Sequence, residues 1–253
     1  MPNGFIISPS LRFLNISGNF VSNYTLGLGE RSSAHGGAIS TGGHYEDLNN
    51  IANASIDNLT GVFIDNHVQG NSALGGAIDN NGLIKTLKGD FIGNYAKASS
   101  GLASGGALRN DYWINIIEGN FVGNYVESLN GVGYDYEDED LYYGASGGAI
   151  SNSGVIQNLR SDFLGNKVKT GVGDALGGAL YNVKSLGNSF DGITTPLQVE
   201  GDFYGNSVES ISANANGGAI ANWSSGAFVY GQFFELLAAM DVEGDLIQNN
   251  AIS

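Results

Sequence analysis

The residues best suited to binding lie in one acidic, tyrosine-rich segment, 129–145. Tyrosine rings pack against sugars or protein surfaces, and neighbouring carboxylates accept hydrogen bonds from hydroxyl groups. We predict a binding loop formed by Tyr134, Asp135, Tyr136, Glu137, Asp138, Glu139, Asp140, Tyr142 and Tyr143. The order of its acids does not match an EF-hand calcium loop, and a solvated loop without a ligand is the alternative.

A second set of carboxylates recurs directly before a repeated phenylalanine or its leucine substitute, at Asp90, Asp162, Asp202 and Asp245. If the repeats stack, Asp162 and Asp202 lie on successive coils, where their like charges would attract a cation such as calcium. A pair supplies fewer oxygen ligands than calcium needs, so solvated outward carboxylates are the alternative. We expect no other cofactor.

The remaining metal-ligating residue types show no usable spacing. His35, His44 and His67 are scattered, they form no metal-binding motif, and we assign them no role. The chain has no cysteine, which excludes disulfides and thiolate metal sites.

Two short motifs alternate along the chain and must position these residues. Phe-x-x-Asn begins at Phe20, Phe63, Phe91, Phe121, Phe163 and Phe203, with a degenerate copy at Leu246. Gly-Gly-Ala-(Ile/Leu) begins at Gly36, Gly75, Gly105, Gly147, Gly177 and Gly217. From Gly-Gly-Ala to the next phenylalanine is 16 residues in three copies and 26 or more in the others, so length varies in insertions.

These repeats predict a right-handed parallel β-helix (solenoid) of about six to seven coils with loop insertions, forming a single domain over 1–253. Stacking places phenylalanine over phenylalanine and asparagine over asparagine, so that each asparagine donates to one neighbour and accepts from the other. The recurrent Gly-Gly-Ala indicates close approach of backbones rather than a phosphate-binding loop, because no Lys-Ser/Thr follows it.

One stretch departs from the repeat. Residues 228–240 are predicted to be an apolar insertion or a cap, and Gln232–Met240 is the only run that reads as a short helix or a thick apolar insertion. We expect it to pack as core or cap rather than to line a ligand pocket.

The composition limits the partners. Ten basic residues against 25 acidic ones leave a net charge of -15, which repels nucleic acid and anionic membrane surfaces. No apolar run is long enough to cross a membrane as a helix, so we expect no direct membrane insertion in this segment. Neutral glycans, cations and proteins remain open.

The alternating motifs resemble the passenger repeats of polymorphic outer membrane proteins of the autotransporter group, which are β-helical surface adhesins. The resemblance extends from about Asn15 to Asn249. It implies an extracellular or bacterial cell-surface location, a host-surface protein or glycan as partner, and further repeats of the same array at both ends. The loops are longer than the motif core requires, which departs from the pattern.

Three functions follow as hypotheses. The leading one is a non-catalytic surface module that presents loops for adhesion. A polysaccharide lyase or glycoside hydrolase is the second, because β-helices carry such enzymes, although basic side chains are few and dispersed here. A structural repeat that self-assembles end to end is the third.

Overall fold

The computed structural model describes residues 5–7, 12–29, 32–42, 54–130, 143–184, 197–224, 226–229, 232–235 and 240–253. Within these ranges all regular structure is β, and parallel strands stack into seven coils of a β-helix. The predicted parallel β-helix of about six to seven coils is therefore confirmed. Because these ranges hold no helix, they also hold none with the length and apolar character needed to span a membrane.

Each complete coil visits four parallel sheets in the order A, B, C, D. Sheet A contains β1 (Phe5–Ile7), β5 (Ile39–Thr41), β9 (Ile78–Asn80), β14 (Leu108–Asn110), β19 (Ile150–Asn152), β24 (Leu180–Lys184) and β29 (Ile220–Ser224). Sheet B contains β2 (Arg12–Val21), β6 (Ser55–Ile64), β10 (Leu83–Lys88), β11 (Phe91–Ile92), β15 (Trp113–Glu118), β16 (Phe121–Val122), β20 (Val155–Arg160), β21 (Phe163–Leu164), β25 (Leu197–Glu200), β26 (Phe203–Tyr204), β32 (Met240–Glu243) and β33 (Leu246–Ile247).

The other two parallel sheets close the coil. Sheet C contains β3 (Tyr24–Leu26), β7 (His67–Gly70), β12 (Tyr95–Ala98), β17 (Tyr125–Ser128), β22 (Lys167–Thr170), β27 (Ser207–Ser210) and β34 (Asn250–Ile252). Sheet D contains β4 (Ser33–His35), β8 (Ser72–Leu74), β13 (Ala103–Ser104), β18 (Tyr143–Ser146), β23 (Asp174–Leu176) and β28 (Ala215–Asn216). β30 (Gly226–Val229) and β31 (Gln232–Glu235) form a separate antiparallel pair.

Two apolar cores run along the axis because side chains alternate between the inside and the outside of each strand. Sheets A and B enclose the larger core, which is built from isoleucine, leucine and phenylalanine. Sheets C and D approach each other through alanine and valine, as at Ala73, Ala96, Ala103 and Val126. Small residues on these strands therefore set the narrow side of the coil.

The phenylalanines form one column, as the repeat predicts. The rings of Phe63 and Phe91 lie 4.6 Å apart between centroids with an interplanar angle of 3°, and the rings of Phe91 and Phe121 repeat that spacing. The column continues to Phe163 and Phe203, and all five rings are fully buried. One residue type at one position therefore fills the same site in successive coils.

Two asparagine ladders run beside this column. In the first, the backbone N–H and Nδ2 of Asn66 both donate to Oδ1 of Asn94, at 3.0 and 2.9 Å. In the second, Nδ2 of Asn80 donates to Oδ1 of Asn110 at 2.7 Å, and Thr41 occupies this position one coil earlier. The predicted ladders are confirmed, and they satisfy polar groups that would otherwise be buried without partners.

The Gly-Gly pairs allow the coils to approach each other. Gly105 has a φ of +65°, a left-handed conformation that a side chain disfavours. A Cβ on Gly106 would lie 2.0 Å from the carbonyl oxygen of Gly148 in the next coil. Close backbone approach, and not phosphate binding, explains this motif.

The prediction of a short helix at Gln232–Met240 is wrong for its first half. Gln232–Glu235 is a strand that pairs with Gly226–Val229, between the sheet A and sheet B strands of the seventh coil. Phenylalanine favours an extended chain, and hairpin pairing satisfies the backbone more readily than an isolated helical turn of this length. Residues 236–239 lie outside the described ranges. The alternative of an insertion in the repeat fits this arrangement.

Candidate functional site

The predicted tyrosine-rich loop leaves the fourth coil between sheets C and D. Tyr134, Asp135, Tyr136, Glu137, Asp138, Glu139, Asp140 and Tyr142 lie outside the described residues, and Tyr143 begins β18. The base of the loop is anchored, because the N–H of Leu129 donates to the carbonyl of Ala98 and Nδ2 of Asn130 donates to that of Ser99. The loop as a binding site stays a prediction.

The predicted carboxylate pair is brought together. Oδ1 of Asp162 accepts the backbone N–H of Asp202 at 2.9 Å, and Oδ1 of Asp202 accepts that of Asp245 at the same distance. These side chains are exposed. Nowhere in the described part of the chain do three His, Asp or Glu side chains gather to hold a metal ion. Calcium at Asp162 and Asp202 stays a prediction, and backbone N–H groups already occupy one oxygen of each.

A second polar site, which sequence reasoning missed, lies on the outer corner between sheets D and A. Two sets of residues point away from the core, because their neighbours in the same strands point into it. One set directly precedes each Gly-Gly pair, and the other directly precedes each position of the second asparagine ladder. Across this corner Ser146 Oγ lies 3.4 Å from Ser151 Oγ and 3.2 Å from Ser104 Oγ. These serine side chains therefore converge outside the two apolar cores.

Charged groups fill the N-terminal part of this corner. Asp79 is fully buried, and its carboxylate faces His35 Nδ1 at 2.7 Å and Arg109 Nη1 at 3.1 Å. Asn81 Nδ2 donates to the same carboxylate at 3.2 Å. Three donors from three coils therefore compensate the burial of this charge.

The network extends through Arg109 to Asp111, which also accepts a hydrogen bond from Ser153 Oγ at 2.5 Å. Burial raises the pKa of the Asp111 carboxyl above its usual value, although Arg109 and Ser153 pull it down. Through these hydrogen bonds and ion pairs the network joins side chains of different coils.

Apolar side chains fill the other end of the same corner. Leu176, Tyr181 and Ala221 are buried there as a cluster outside the two axial cores, with Val183 against them. The corner thus changes from charged, through the serines, to apolar along the rod.

Two of the histidines, to which the sequence analysis assigns no role, make defined contacts. His35 faces Asp79, and the ring of His67 stacks between those of Tyr24 and Tyr95, with centroids 5.5 and 4.6 Å away. The repeat indicates this ring stack, since Tyr24, His67 and Tyr95 each directly follow an asparagine of the first ladder. His44 lies outside the described residues.

Comparison with protein-family models finds no match, and comparisons with curated proteins and with solved structures find none either. The function must therefore be inferred from the residues of this chain and their geometry.

Proposed function

We propose that this chain is a non-catalytic module of a bacterial cell-surface or secreted protein, of the adhesin or autotransporter-passenger type, that presents loops for binding a host protein or glycan. The observation that carries the proposal is the continuity of its ladders. The first asparagine ladder links each coil to the next from Asn23 to Asn249 without a break.

This continuity makes a stiff support. From Asn66 onward, each oxygen of the first ladder accepts two hydrogen bonds, and each Nδ2 also donates to a phenylalanine carbonyl one coil back, as Asn124 does to Phe91 at 2.9 Å. Stacked rings fill the adjoining column. A local distortion would break contacts in two neighbouring coils, so the rod resists bending and holds attached loops at fixed spacing.

The long connections leave the rod at recurring places. Between sheets C and D, the connection is 99–102 in the third coil, 171–173 in the fifth, and 129–142 in the fourth. Between sheets A and B, residues 185–196 replace the two-residue connection 111–112 of the fourth coil. Because shorter connections join the same sheets in neighbouring coils, the additional residues are not needed to form the coil and are available for binding.

Charged side chains on the outer surface form ion pairs that link neighbouring coils. Lys88, Glu118, Arg160 and Glu200 form a ladder of ion pairs along sheet B, and Glu209 pairs with Lys167 and Lys169 on sheet C. These carboxylates are matched by cations rather than arranged as an acid and a base about a cleft. Among the residues that the structure describes, no comparable contact favours the second hypothesis, a polysaccharide lyase or glycoside hydrolase.

The decisive experiment transplants a short natural connection. Residues 129–142 are replaced by the Ser99–Leu102 segment, which joins the same two strands in the third coil. Parent and variant are screened against a glycan array and cultured host cells. We expect the parent to bind, and the variant to lose that binding while its thermal melting temperature is unchanged.

A matched control replaces 185–196 with the connection 111–112, which removes a long loop elsewhere on the rod. If this control loses binding and the 129–142 variant keeps it, the tyrosine-rich loop is not the binding site. Turnover of a uronate polysaccharide in the presence of calcium, abolished by Asp162→Asn, would overturn the non-catalytic proposal.

A further inference from the structure

An unbroken row of apolar side chains runs along the outside of the rod, directly after the buried phenylalanine position. We call it the outer apolar column. It consists of Val21, Ile64, Ile92, Val122, Leu164, Tyr204 and Ile247, which pair in register through all seven coils. At about 4.8 Å per coil the column is roughly 30 Å long.

The column is accessible to solvent. Leu164 is 41% exposed, Tyr204 48% and Ile247 46%. Contiguous exposed apolar rows of this kind are uncommon on soluble proteins and mark interaction surfaces.

The apolar character is specific to this position on the outer face. The outward row three residues before each phenylalanine position is polar in every coil, and it contains Ser17, Thr60, Lys88, Glu118, Arg160, Glu200 and Glu243. Both rows lie on sheet B and meet the same solvent. The strand's preference for β-branched residues therefore does not account for the difference.

Unneutralised charge adjoins the column at the C-terminal end of the rod. Asp162, Asp202 and Asp245 point outward immediately beside Leu164, Tyr204 and Ile247. Among the residues that the structure describes, none of these three carboxylates takes part in an ion pair. By contrast, Asp57 contacts both Lys85 and Arg12, and Glu118 contacts Lys88. The last three coils thus present an apolar row and a free acidic row side by side.

We propose that this two-row surface of coils five to seven docks a cationic amphipathic helix of a partner protein, which sets apolar side chains on Leu164, Tyr204 and Ile247 and lysines or arginines on the three aspartates. A helical turn rises about 5.4 Å and a coil about 4.8 Å, so the repeats stay within roughly 1 Å over three coils. Desolvation of the apolar row provides affinity, and the acidic row orients the helix.

Other occupants fit less well. A second copy of the chain, placed row against row, would oppose aspartates to aspartates on molecules that each carry a charge of -15. An anionic lipid surface meets the same repulsion. A sugar ring needs an exposed aromatic face to stack on, and Tyr204 is the one aromatic residue among the seven of the outer apolar column.

The test uses the full chain and a fluorescent synthetic helix of leucine and lysine with one apolar face, compared with a peptide of the same composition in scrambled order. Binding is measured by anisotropy over a range of salt concentrations. We expect the amphipathic peptide to bind and the scrambled one to bind at least about tenfold more weakly. Leu164→Ser with Tyr204→Ser should weaken binding by about tenfold or more.

Asp162→Asn with Asp202→Asn should weaken binding and reduce its salt dependence, since two of the matched charges are gone. The control, Val21→Ser with Val122→Ser, changes the same column beside Asn19 and Asn120, where the adjoining row carries no carboxylate, and should alter binding less than about twofold. All these side chains lie on the outer surface, and an unchanged urea midpoint verifies folding.

Equal binding of the scrambled peptide, or no effect of the coil five and six variants, would overturn the proposal. So would self-association of the chain that Leu164→Ser with Tyr204→Ser abolishes, because the occupant would then be a second copy. The two-row surface belongs to sheet B, whereas 129–142 joins strands of sheets C and D, so the loop transplant should leave peptide binding intact. Failure of this proposal is therefore distinguishable from failure of the proposed adhesin function.

Discussion

The side chain of Asn124 accepts two hydrogen bonds from Asn94, one from its backbone N–H and one from its Nδ2, each at 3.0 Å. The same asparagine donates from Nδ2 to Asn166 and to the carbonyl of Phe91, both at 2.9 Å. One side chain thus holds together coils three, four and five. It is fully buried, so no water replaces a contact that is lost.

Asn124→Ala should therefore lower the free energy of unfolding by roughly 3 to 5 kcal/mol, because several buried polar groups lose their partner together. Asn120→Ala is the matched control. Asn120 lies four residues earlier and is exposed, and among the described contacts its side chain bonds only Asp90. Its loss should cost less than about 1 kcal/mol. Urea denaturation of both variants tests the difference, and equal midpoints would show that the ladder does not stabilise the rod.

Gly106→Ala should prevent or severely impair folding, because the added Cβ would meet the carbonyl oxygen of Gly148 at 2.0 Å. Gly123→Ala provides the contrast. Its φ is +62°, but nothing lies within 4 Å of its added Cβ, so it should cost only about 1 kcal/mol from backbone strain. Soluble yield and urea midpoints separate the two. A well-folded Gly106→Ala protein would contradict the close backbone approach.

Ser161→Ala should stabilise the chain. Ser161 is buried and its Oγ has no hydrogen-bond partner, whereas the neighbouring coils carry Gly119 and Gly201 at this position. Removing the unsatisfied hydroxyl should raise the free energy of unfolding by about 1 kcal/mol. Ser153→Ala, which deletes the hydrogen bond to Asp111, should have the opposite sign. A destabilised Ser161→Ala variant would mean that the hydroxyl has a partner in solution.

Two carboxylates should influence stability with opposite dependence on pH. Hydrogen bonds from Lys169 and Lys167 lower the pKa of Glu209 below its usual 4.5, so its stabilisation is present above pH 4.5 and is lost as the pH falls through the lowered pKa. Burial raises the pKa of Asp111 above its usual 3.8, so its contribution is greatest below pH 3.8 and is lost as the pH rises through the raised pKa.

Urea midpoints measured between about pH 3 and 7 test these signs. Relative to the parent, Glu209→Gln should lose less stability on acidification, and Asp111→Asn should lose less as the pH rises above 3.8. Parallel curves for parent and Asp111→Asn would contradict the burial of an ionisable carboxyl at that place.

The sequence by itself determined the architecture, because stacking is encoded by identity. Phe91 and Phe121 are the same residue at the same place in their coils, so one register buries both, and a shift would turn both side chains outward. The same reasoning yields the asparagine ladders, the close Gly-Gly approach and the adjacency of Asp162 and Asp202.

Only the tertiary structure decided which outward residues meet, because these positions do not repeat. Asp79 and Arg109 occupy equivalent places in adjoining coils, but His35 reaches Asp79 across the corner between sheets, and no sequence spacing states that distance. The strand at Gln232–Glu235 likewise required its partner Gly226–Val229, since an apolar run without a repeated neighbour fits helix and strand alike. Periodic positions specify their own contacts, and unique positions depend on the fold to bring them together.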